Sequence, residues 1–282
     1  MSTGLELSVI LTTYERPRHL ERSLASLARQ VNMDGRFEVV VVDDGSQDRT
    51  HEVIRDFAQI ANFPVKLTTH EHQGFRVALC RNDGVRASCG SYLLISDSDC
   101  LFPPHHLERH LMARKPGVIR AGNCYRLDRE TTEWLTVDDV FAGKYFREVS
   151  YIERWRLWRR WISDVRYQLR HHPIKPKLMG FNIAISRSDL EAVNGFDEEY
   201  VGWGCEDDDF AARLRMAGKH VRTAVGYTRA YHMWHPIDPS NPGVWNQGPN
   251  VQRLLHAKRE IKCRKGLVEF TDEEFERSVR AA

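Results

Sequence analysis

Short apolar runs and amphipathic segments alternate over about the first hundred residues of this 282-residue chain. The apolar runs are rich in β-branched residues and predict strands at 7–13, 37–42 and 65–69, with a further strand from Tyr92. The segments between them carry the periodicity of amphipathic helices, at 17–30, 47–60 and 77–87. Strands and helices that alternate in this way predict parallel βαβ units, with helices on both faces of the sheet.

The strand that begins at Tyr92 ends in two carboxylates one residue apart, Asp97 and Asp99. Open α/β sheets bind ligands at the carboxyl ends of their strands, and strand geometry would place both carboxylates on one side. Two hard oxygen ligands suit a divalent cation that also contacts a diphosphate. The alternative is a simple polar turn, because Asp and Ser are common turn residues.

A basic segment rich in aromatic residues lies at 144–177, with ten Lys or Arg and three acidic residues. One helical stripe within it is formed by Tyr151, Trp155, Trp158 and Ile162. A basic amphipathic helix with Trp is typical of a membrane-surface element, which predicts peripheral membrane contact through 145–170. The alternative is that the Trp stripe packs on the sheet while the arginines are solvated, because burial is the commoner fate of such a stripe.

Four consecutive acids, from Glu206 to Asp209, follow the sequence Gly202-Trp203-Gly204-Cys205. They precede a helix predicted over 210–217. Acids at a helix start are favoured by the helix dipole, which accounts for them without any function. That explanation does not require the glycines, which would let a flat sugar ring approach Trp203 closely.

The remaining C-terminal pattern predicts a strand at 178–186, a loop at 236–249 and helices at 250–265 and 271–280. Two histidines three residues apart, His232 and His235, stand out in an aromatic stretch before the loop. Each is either a metal ligand or a partly buried histidine of an aromatic loop.

Composition narrows the function classes. Hydrophobic content of 41% is ordinary for a globular protein, and a net charge of +2 gives no global sign of nucleic-acid binding. No apolar run approaches the roughly 18 residues of a membrane span, and the first residues lack the pattern of a signal peptide. Six scattered cysteines without a C-x-x-C pair predict a reducing, cytoplasmic setting.

Five motifs follow one another in the first hundred residues: Thr12-Thr13-Tyr14-Glu15-Arg16, Val41-Val42-Asp43-Asp44-Gly45-Ser46, Gln73-Gly74-Phe75-Arg76, Arg81-Asn82-Asp83-Gly84 and Asp97-Ser98-Asp99. In these motifs and their order the chain resembles glycosyltransferase family 2. The resemblance implies the GT-A fold, a Rossmann-like and mostly parallel α/β sheet. It also implies a nucleotide-sugar donor, most often a UDP-sugar, and Mn²⁺ or Mg²⁺ held by Asp99.

The same resemblance implies a role for each matching residue of the donor half. Asp43 would contact uracil, Arg81 would approach the base or diphosphate, and Asp97 would lie on the ribose or sugar side. The donor-binding set it implies is Thr12, Tyr14, Arg16, Asp43, Asp44, Arg81, Asp97 and Ser98.

The Gly-Trp-Gly-x-Glu-Asp run resembles the acceptor part of β-1,4-galactosyltransferases and of bacterial chondroitin-type polymerases, enzymes of polysaccharide biosynthesis. This resemblance implies that Asp207 is the catalytic base and that Glu206 binds an acceptor hydroxyl. Trp203 and Gly204 would line the acceptor site, and His232, with His235 as the alternative, would complete the metal site. Retaining relatives usually lack the Asp run that follows Glu206, so the run favours inversion.

Together these features predict a metal-dependent inverting glycosyltransferase that moves a hexose or N-acetylhexosamine from a UDP-sugar to a glycan or lipid-linked saccharide. The predicted parts are a donor half (1–125), a basic aromatic connection (126–177) and an acceptor half (178–282). A location at the inner membrane face is the alternative to a free cytoplasmic protein. Two alternatives are a sugar nucleotidyltransferase and a non-catalytic sugar-binding module. The first would need a glycine-rich phosphate loop after the first strand, which this sequence does not have there. The second could lose its carboxylates freely, whereas this sequence keeps them.

Overall fold

The computed structural model describes residues 4–237, 241, 243–244, 247–248, 250–256 and 259–280. The strands are β1 (Leu7–Thr13), β2 (Phe37–Asp43), β3 (Val65–Thr69), β4 (Tyr92–Asp97), β5 (Cys100–Leu101), β6 (Val118–Ala121), β7 (Cys124–Arg126), β8 (Ile183–Ser186), β9 (His220–Thr223) and β10 (Ala230–His232). The helices are α1 (Pro17–Leu27), α2 (Thr50–Ile60), α3 (Val77–Ala87), α4 (His106–Met112), α5 (Arg129–Trp134), α6 (Val137–Phe141), α7 (Tyr151–Leu169), α8 (Arg187–Glu191), α9 (Glu206–Met216), α10 (Val251–His256) and α11 (Asp272–Arg280).

The main sheet has seven strands in the order β3-β2-β1-β4-β8-β6-β9. The four strands of the N-terminal half run parallel, as the alternating pattern predicted, and β8 pairs antiparallel with both β4 and β6. The pairing of β1 with its two neighbours sets Thr12 beside Asp97 of β4 and Thr13 beside Asp43 of β2. The polar ends of β2 and β4 therefore flank the end of β1 at one edge of the sheet.

Side chains that alternate along the central strands supply a core on each face of this sheet. On β1, Val9 and Leu11 pack toward α1, α2 and α4, whereas Ile10 packs toward α3, α8 and α9. The strands are buried on both faces, which is why they read as continuous apolar runs in the sequence.

A second, three-stranded sheet in the order β5-β10-β7 lies beside the end of β4. Strand β10 pairs antiparallel with β5, which places His232 opposite Cys100. A third apolar cluster packs this sheet against α6 and the following turn, and it includes Leu101, Val140 and Tyr145. This small sheet brings His232, and His235 three residues later, close to the segment Asp97-Ser98-Asp99 at the end of β4, which is called the DxD turn below.

Several element bounds differ from those predicted. Helix α9 begins at Glu206 instead of residue 210, so all four acids lie in its first turn. Strand β8 covers only the end of the segment predicted at 178–186. The loop predicted at 236–249 and the helix predicted at 250–265 lie partly outside the described residues, and α10 covers only part of the latter.

The alternative to membrane contact, in which the Trp stripe packs on the sheet, is wrong for the two central members of the stripe. Trp155 and Trp158 are 56% and 53% exposed, and the neighbouring Tyr151 is 89% exposed. Helix α7 instead buries Leu157 and Asp164. Among the described residues, no helix combines the length and apolar character needed to cross a bilayer.

Candidate active site

Asp99 lies buried in the turn after β4, beside two histidines of the C-terminal half of the chain. Its Oδ1 is 3.5 Å from Nε2 of His232, and its Oδ2 is 3.1 Å from Nε2 of His235. One ligand atom from each of the three residues lies within 4.8 Å of the others. A carboxylate and two imidazoles at this spacing can bind one divalent metal ion.

The charge of Asp99 is stabilised by the groups around it. Burial opposes that charge, but His232, His235 and Arg16 together hold the pKa of Asp99 well below its usual range. Nη1 of Arg16 lies 3.2 Å from Oδ2 of Asp99. Burial also opposes the charge of His235, yet its contact with Asp99 raises its pKa overall. The guanidinium of Arg16 and the two imidazole rings therefore surround this carboxylate where a cation would bind.

Asp97 connects the end of β4 with the start of α9 through one buried arginine. Its Oδ1 accepts a hydrogen bond of 2.9 Å from Thr12 and lies 3.7 Å from Nη2 of Arg81. Arg81 also donates to Oε1 of Glu206 at 2.9 Å. Burial raises the pKa of Asp97 although Arg81 opposes this, and the nearby charge of Asp99 raises it further.

Gly180 provides the space that Arg81 occupies. A Cβ added at Gly180 would lie 1.9 Å from Nη2 of Arg81. Arg81 is 3% exposed, and its guanidinium carbon lies 5.2 Å from the ring centre of Phe196. Arg81 was expected near the base or diphosphate; the structure places it between Asp97 and Glu206.

Asp207, in the first turn of α9, has a raised pKa, which is the direction that suits a general base. Burial raises its pKa to about 7, and the adjacent charges of Glu206 and Asp208 add to this. Asp208 is paired with Nζ of Lys177 at 2.8 Å, and Asp209 with Nε of Arg213 at 2.7 Å. Each carboxylate of the run thus has a different environment.

The segment before α9 is held in a bent conformation. Cys205, the residue before the helix, has a φ of +75°, which costs energy for a residue with a side chain. Nδ2 of Asn250 donates to the carbonyl oxygens of Gly202 and Gly204 at 3.1 and 2.9 Å. This clamp leaves Trp203 half-buried beside the acids of α9.

The carboxylates at the end of β2 form a separate cluster, on the opposite side of β1 from the end of β4. Asp43 is fully buried and accepts hydrogen bonds from Ser46, His51 and Thr69. Asp44 instead faces two histidines of the segment after β3. Asp43 thus fastens the turn internally, and Asp44 anchors the neighbouring loop.

Tyr14 and Ser98 occupy contrasting positions at this edge of the sheet. Tyr14 is 38% exposed and stacks on His72 with ring centres 4.1 Å apart. Ser98 is buried, and its hydroxyl donates to Oγ1 of Thr13 at 3.0 Å. Ser98 therefore ties β4 to β1.

Sequence reasoning missed three residues that shape the site: Gly180, Lys177 and Asn250. A glycine before a strand and a lysine in a basic segment are common, so neither gave a signal of its partner. Asn250 was assigned to a basic helix. Only contacts between distant parts of the chain identify these roles.

Comparison with known proteins gives two family matches. The profile described as glycosyl transferase family 2 matches residues 8–193, and the profile described as the N-terminal domain of galactosyltransferase matches residues 162–236. Both matched ranges contain residues of the site described above.

Two curated relatives illustrate the range of similarity. Validoxylamine A glucosyltransferase of Streptomyces hygroscopicus subsp. limoneus is 32% identical over 221 residues, which cover 75% of this chain and 48% of that protein. Chondroitin synthase of Escherichia coli is 29% identical over 271 residues, which cover 89% of this chain and 38% of that protein. The chain thus spans about half or less of the length of these relatives.

Two solved structures share the fold at low sequence identity. The mannosyltransferase PcManGT from Pyrobaculum calidifontis, in complex with GDP-Man and Mn²⁺, gives a TM-score of 0.56 at 21% identity, over 81% of this chain and 56% of that one. S. aureus TarS 1–349 in complex with UDP-GlcNAc gives 0.57 at 17% identity, over 83% and 60% respectively.

Proposed function

The chain belongs to glycosyl transferase family 2 and is a glycosyltransferase with the GT-A fold, and from this premise we propose its reaction. It transfers a hexose or N-acetylhexosamine from a UDP-sugar to a saccharide hydroxyl, with inversion at the anomeric carbon and with the help of a divalent metal ion. The acceptor is a glycan or a lipid-linked saccharide.

The observation that carries the proposal is the path of contacts from Asp97 through Arg81 to Glu206. It joins the DxD turn of the donor side to the acidic start of α9. A transferase needs its donor and its acceptor next to each other, because orientation of two reactants is a large part of catalysis. Arg81 is the buried connection that fixes the two sides relative to each other.

Asp207 is our choice for the base. Inverting transfer needs one carboxylate that takes the proton of the attacking hydroxyl while the new bond forms. A general base works best when its pKa lies near the operating pH, and that of Asp207 is raised to about 7. Glu206 is held by Arg81, and in this proposal it accepts a hydrogen bond from another hydroxyl of the acceptor.

Asp99, His232 and His235 are the residues that would hold the metal ion, and their donor atoms fit one. Imidazole nitrogens favour Mn²⁺ over Mg²⁺, which prefers an all-oxygen shell. A bound ion would supply Lewis-acid stabilisation of the departing diphosphate. Arg16, which contacts Asp99, would then be free to reach a phosphate oxygen.

The names of the similar proteins support parts of this proposal and divide on the nucleotide. TarS is described with UDP-GlcNAc, whereas PcManGT is described with GDP-Man and Mn²⁺. By their names, one relative makes chondroitin and the other transfers glucose to validoxylamine A, so the names do not agree on a product. We choose UDP because the family that the donor-half motifs resemble most often uses a UDP-sugar.

A thermal-shift and calorimetric screen of nucleotide diphosphates and their sugars, with and without Mn²⁺, tests the donor. We expect Mn²⁺-dependent binding of UDP and one UDP-sugar, lost in Asp99→Ala. A ligand at about 100 times its dissociation constant adds about 2.7 kcal/mol of stability. Binding of GDP-sugars alone would overturn the choice of nucleotide. The anomeric configuration of the product, read by NMR, then tests inversion.

The exposed aromatic face of α7 supports a further part of the proposal, contact with an anionic membrane surface. Tyr151, Ile152, Trp155 and Trp158 line one apolar groove together with Arg154. Trp side chains favour the membrane interface, and arginines beside them complement anionic headgroups. Arg159, which stacks over Trp155 at 4.7 Å, belongs to this same face.

Vesicle sedimentation tests this contact. We expect binding to anionic vesicles, weaker binding to zwitterionic ones, and loss of binding in the Trp155→Ala/Trp158→Ala double variant. Trp134→Ala removes an exposed Trp elsewhere and is the control. Equal binding of both variants would contradict membrane contact. A change of solution mass in the double variant, without vesicle binding, would show that the face joins two copies.

A further inference from the structure

A second cluster of metal-binding side chains lies away from the DxD turn, where three elements meet at the sheet edge. Asp44 follows β2, His70 follows β3, and Cys80 lies in the first turn of α3. Oδ1 of Asp44 is 2.8 Å from Nε2 of His70, and Sγ of Cys80 is 3.8 Å from the same nitrogen. One ligand atom from each residue lies within 4.8 Å of the others.

We propose that Asp44, His70 and Cys80 bind a zinc-class divalent cation at a site separate from that of Asp99. Zinc bonds of about 2.0–2.3 Å give tetrahedral edges of about 3.3–3.6 Å between ligand atoms. The observed separation of 2.8 Å between Asp44 and His70 is about 0.5 Å shorter than these edges, and that of 3.8 Å between Cys80 and His70 is about 0.2 Å longer. Small side-chain rotations therefore suffice to complete the site.

The surroundings of the cluster match those of metal ligands. Nδ1 of His70 is buried and lies 3.2 Å from Oδ2 of Asp83, which is one helical turn beyond Cys80. Oδ2 of Asp44 lies 3.1 Å from Nδ1 of His72. Metal-bound histidines usually have a carboxylate on their other nitrogen, and metal-bound carboxylates are themselves hydrogen-bonded. The contact to Asp44 is present as a hydrogen bond from His72, whereas Nδ1 of His70 makes no hydrogen bond to the described residues and has the Asp83 carboxylate 3.2 Å away.

Close backbone packing holds the cluster together. Gly45 has a φ of +76°, and a Cβ there would lie 2.6 Å from the backbone nitrogen of His72 and 2.7 Å from the carbonyl oxygen of His70. The loop that carries both histidines therefore rests directly on the turn that carries Asp44. Asp44 and Cys80 are 7% and 3% exposed, so few water molecules compete for them.

The ligand types select the metal. The thiolate of Cys80 is a soft ligand that suits zinc, whereas Mn²⁺ and Mg²⁺ favour harder ligands. The three protein ligands leave a fourth position open for water. Occupancy would fix His70 and, through Asp44, His72, the ring on which Tyr14 stacks.

Cobalt substitution of the untagged protein tests the site, because a thiolate ligand to Co²⁺ gives a charge-transfer band in the near ultraviolet. We expect this band in the wild type and its loss in Cys80→Ser and His70→Ala. The controls are Asp99→Ala and Cys100→Ser, since Sγ of Cys100 lies 3.6 Å from Asp99. Both controls should keep the band. Its absence from the wild type, or its persistence in Cys80→Ser, would overturn the proposal.

A second measurement covers the case in which Cys80→Ser does not fold. Because the Asp99 site can also bind zinc, this measurement is made with Asp99 replaced: zinc should raise the melting temperature of Asp99→Ala and leave that of the Asp99→Ala/His70→Ala double variant unchanged. An equal rise in the double variant would also overturn the site. UDP-sugar binding is measured separately, so failure of the zinc site and failure of the transferase proposal are distinguishable.

Discussion

Arg16 and His235 approach the same oxygen of Asp99, with Nη1 of Arg16 at 3.2 Å and Nε2 of His235 at 3.1 Å. A cation bound by Asp99 would meet the positive guanidinium at close range, where like charges repel. We therefore predict that Arg16→Met binds Mn²⁺ several-fold more tightly than the wild type without nucleotide. Calorimetry, or titration of free Mn²⁺ by electron paramagnetic resonance, measures this affinity.

The same variant should bind UDP more weakly in the presence of saturating Mn²⁺, because one phosphate-facing guanidinium is lost. Arg18→Met is the control, since Arg18 is exposed and its side-chain hydrogen bond among the described residues is a weak one of 3.5 Å to a backbone carbonyl. Equal or weaker Mn²⁺ binding by Arg16→Met would show that the ion pair does not compete with the metal.

The raised pKa of Asp207 predicts the pH profile of transfer. If Asp207 is the base, it must be ionised, so kcat should rise with pH and level off above about 7. Asp207→Asn should lose about 10²–10⁴-fold in kcat, the usual share of a general base. Binding of UDP and Mn²⁺ should stay unchanged. Steady-state kinetics across pH 5.5–9, in roughly half-unit steps, provide the check.

Asp208→Asn is the matched control for this experiment, because it removes the neighbouring carboxylate, which is paired with Lys177. Its loss of kcat should be much smaller than that of Asp207→Asn. Retention of most activity by Asp207→Asn would refute the assignment of the base, while the metal and donor sites could still be correct.

The same carboxylate should reduce the stability of the fold at neutral pH. Its pKa is raised from an unfolded value of about 3.9 to about 7, so the folded chain holds a proton that the unfolded chain releases. Stability from this group is therefore full below pH of about 4 and is lost as pH rises to about 7. Asp207→Asn should melt higher than the wild type at pH 8, and the two should converge near pH 4.

The difference in melting temperature gives the size of this gain in stability, because each kcal/mol shifts the melting temperature by about 2–4 °C in a chain of about this length. We expect a gain of about 1 kcal/mol or more at pH 8, because burial and the charges of Glu206 and Asp208 disfavour ionisation of Asp207 more than Arg81 favours it. A difference between the two proteins that is the same at pH 4 and pH 8 would contradict the raised pKa.

Gly180 should tolerate no side chain. Because a Cβ would lie 1.9 Å from Nη2 of Arg81, Gly180→Ala must move the guanidinium away from Asp97 and Glu206. We expect a loss of about 1–3 kcal/mol in stability, as in other overpacked cores, and at least a tenfold loss of kcat/KM. A double-mutant cycle is the control: in an Arg81→Ala background, Gly180→Ala should have little further effect. Independent effects would show that Gly180 acts elsewhere.

The sequence predicted the N-terminal half of the fold well, and the reason is physical. Strands β1 and β3 and helix α3 have the bounds predicted, because buried parallel strands are continuous apolar runs and the helices between them have one apolar face. Pro17 marks the first position of α1, where a missing N–H costs nothing. Local patterns were sufficient here because each element carries its own signal.

Patterns failed where a distant partner decides. The start of α9 was placed four residues too late, because its first turn consists of acids that a local pattern cannot separate from a loop. The stripe of Trp155 and Trp158 is exposed because Leu157 and Asp164 occupy the buried side of α7. The positions of His232 and His235 beside Asp99 depend on the pairing of β10 with β5, which no local pattern contains.

Two buried histidines of α4 should make the fold sensitive to acid. Burial lowers the pKa of His110 to about 3 and that of His106 well below its usual value. Their rings lie 4.7 Å apart, and Arg120 also opposes a charge on His110. The folded chain keeps both histidines neutral, whereas the unfolded chain takes up protons below pH of about 6.5. Stability should therefore be full above that pH and fall as pH decreases toward the folded values.

Each histidine contributes a slope of up to about 1.4 kcal/mol per pH unit in the free energy of unfolding. His110→Phe keeps a ring in the space beside Tyr227 and removes one of the two protons. Urea unfolding between about pH 7 and pH 4.5 should therefore show a shallower loss of stability in His110→Phe than in the wild type. His220→Phe, at an exposed position, controls for the loss of a histidine by itself. Parallel slopes for His110→Phe and the wild type would mean that His110 is protonated in the folded state, which its complete burial beside His106 and Arg120 opposes.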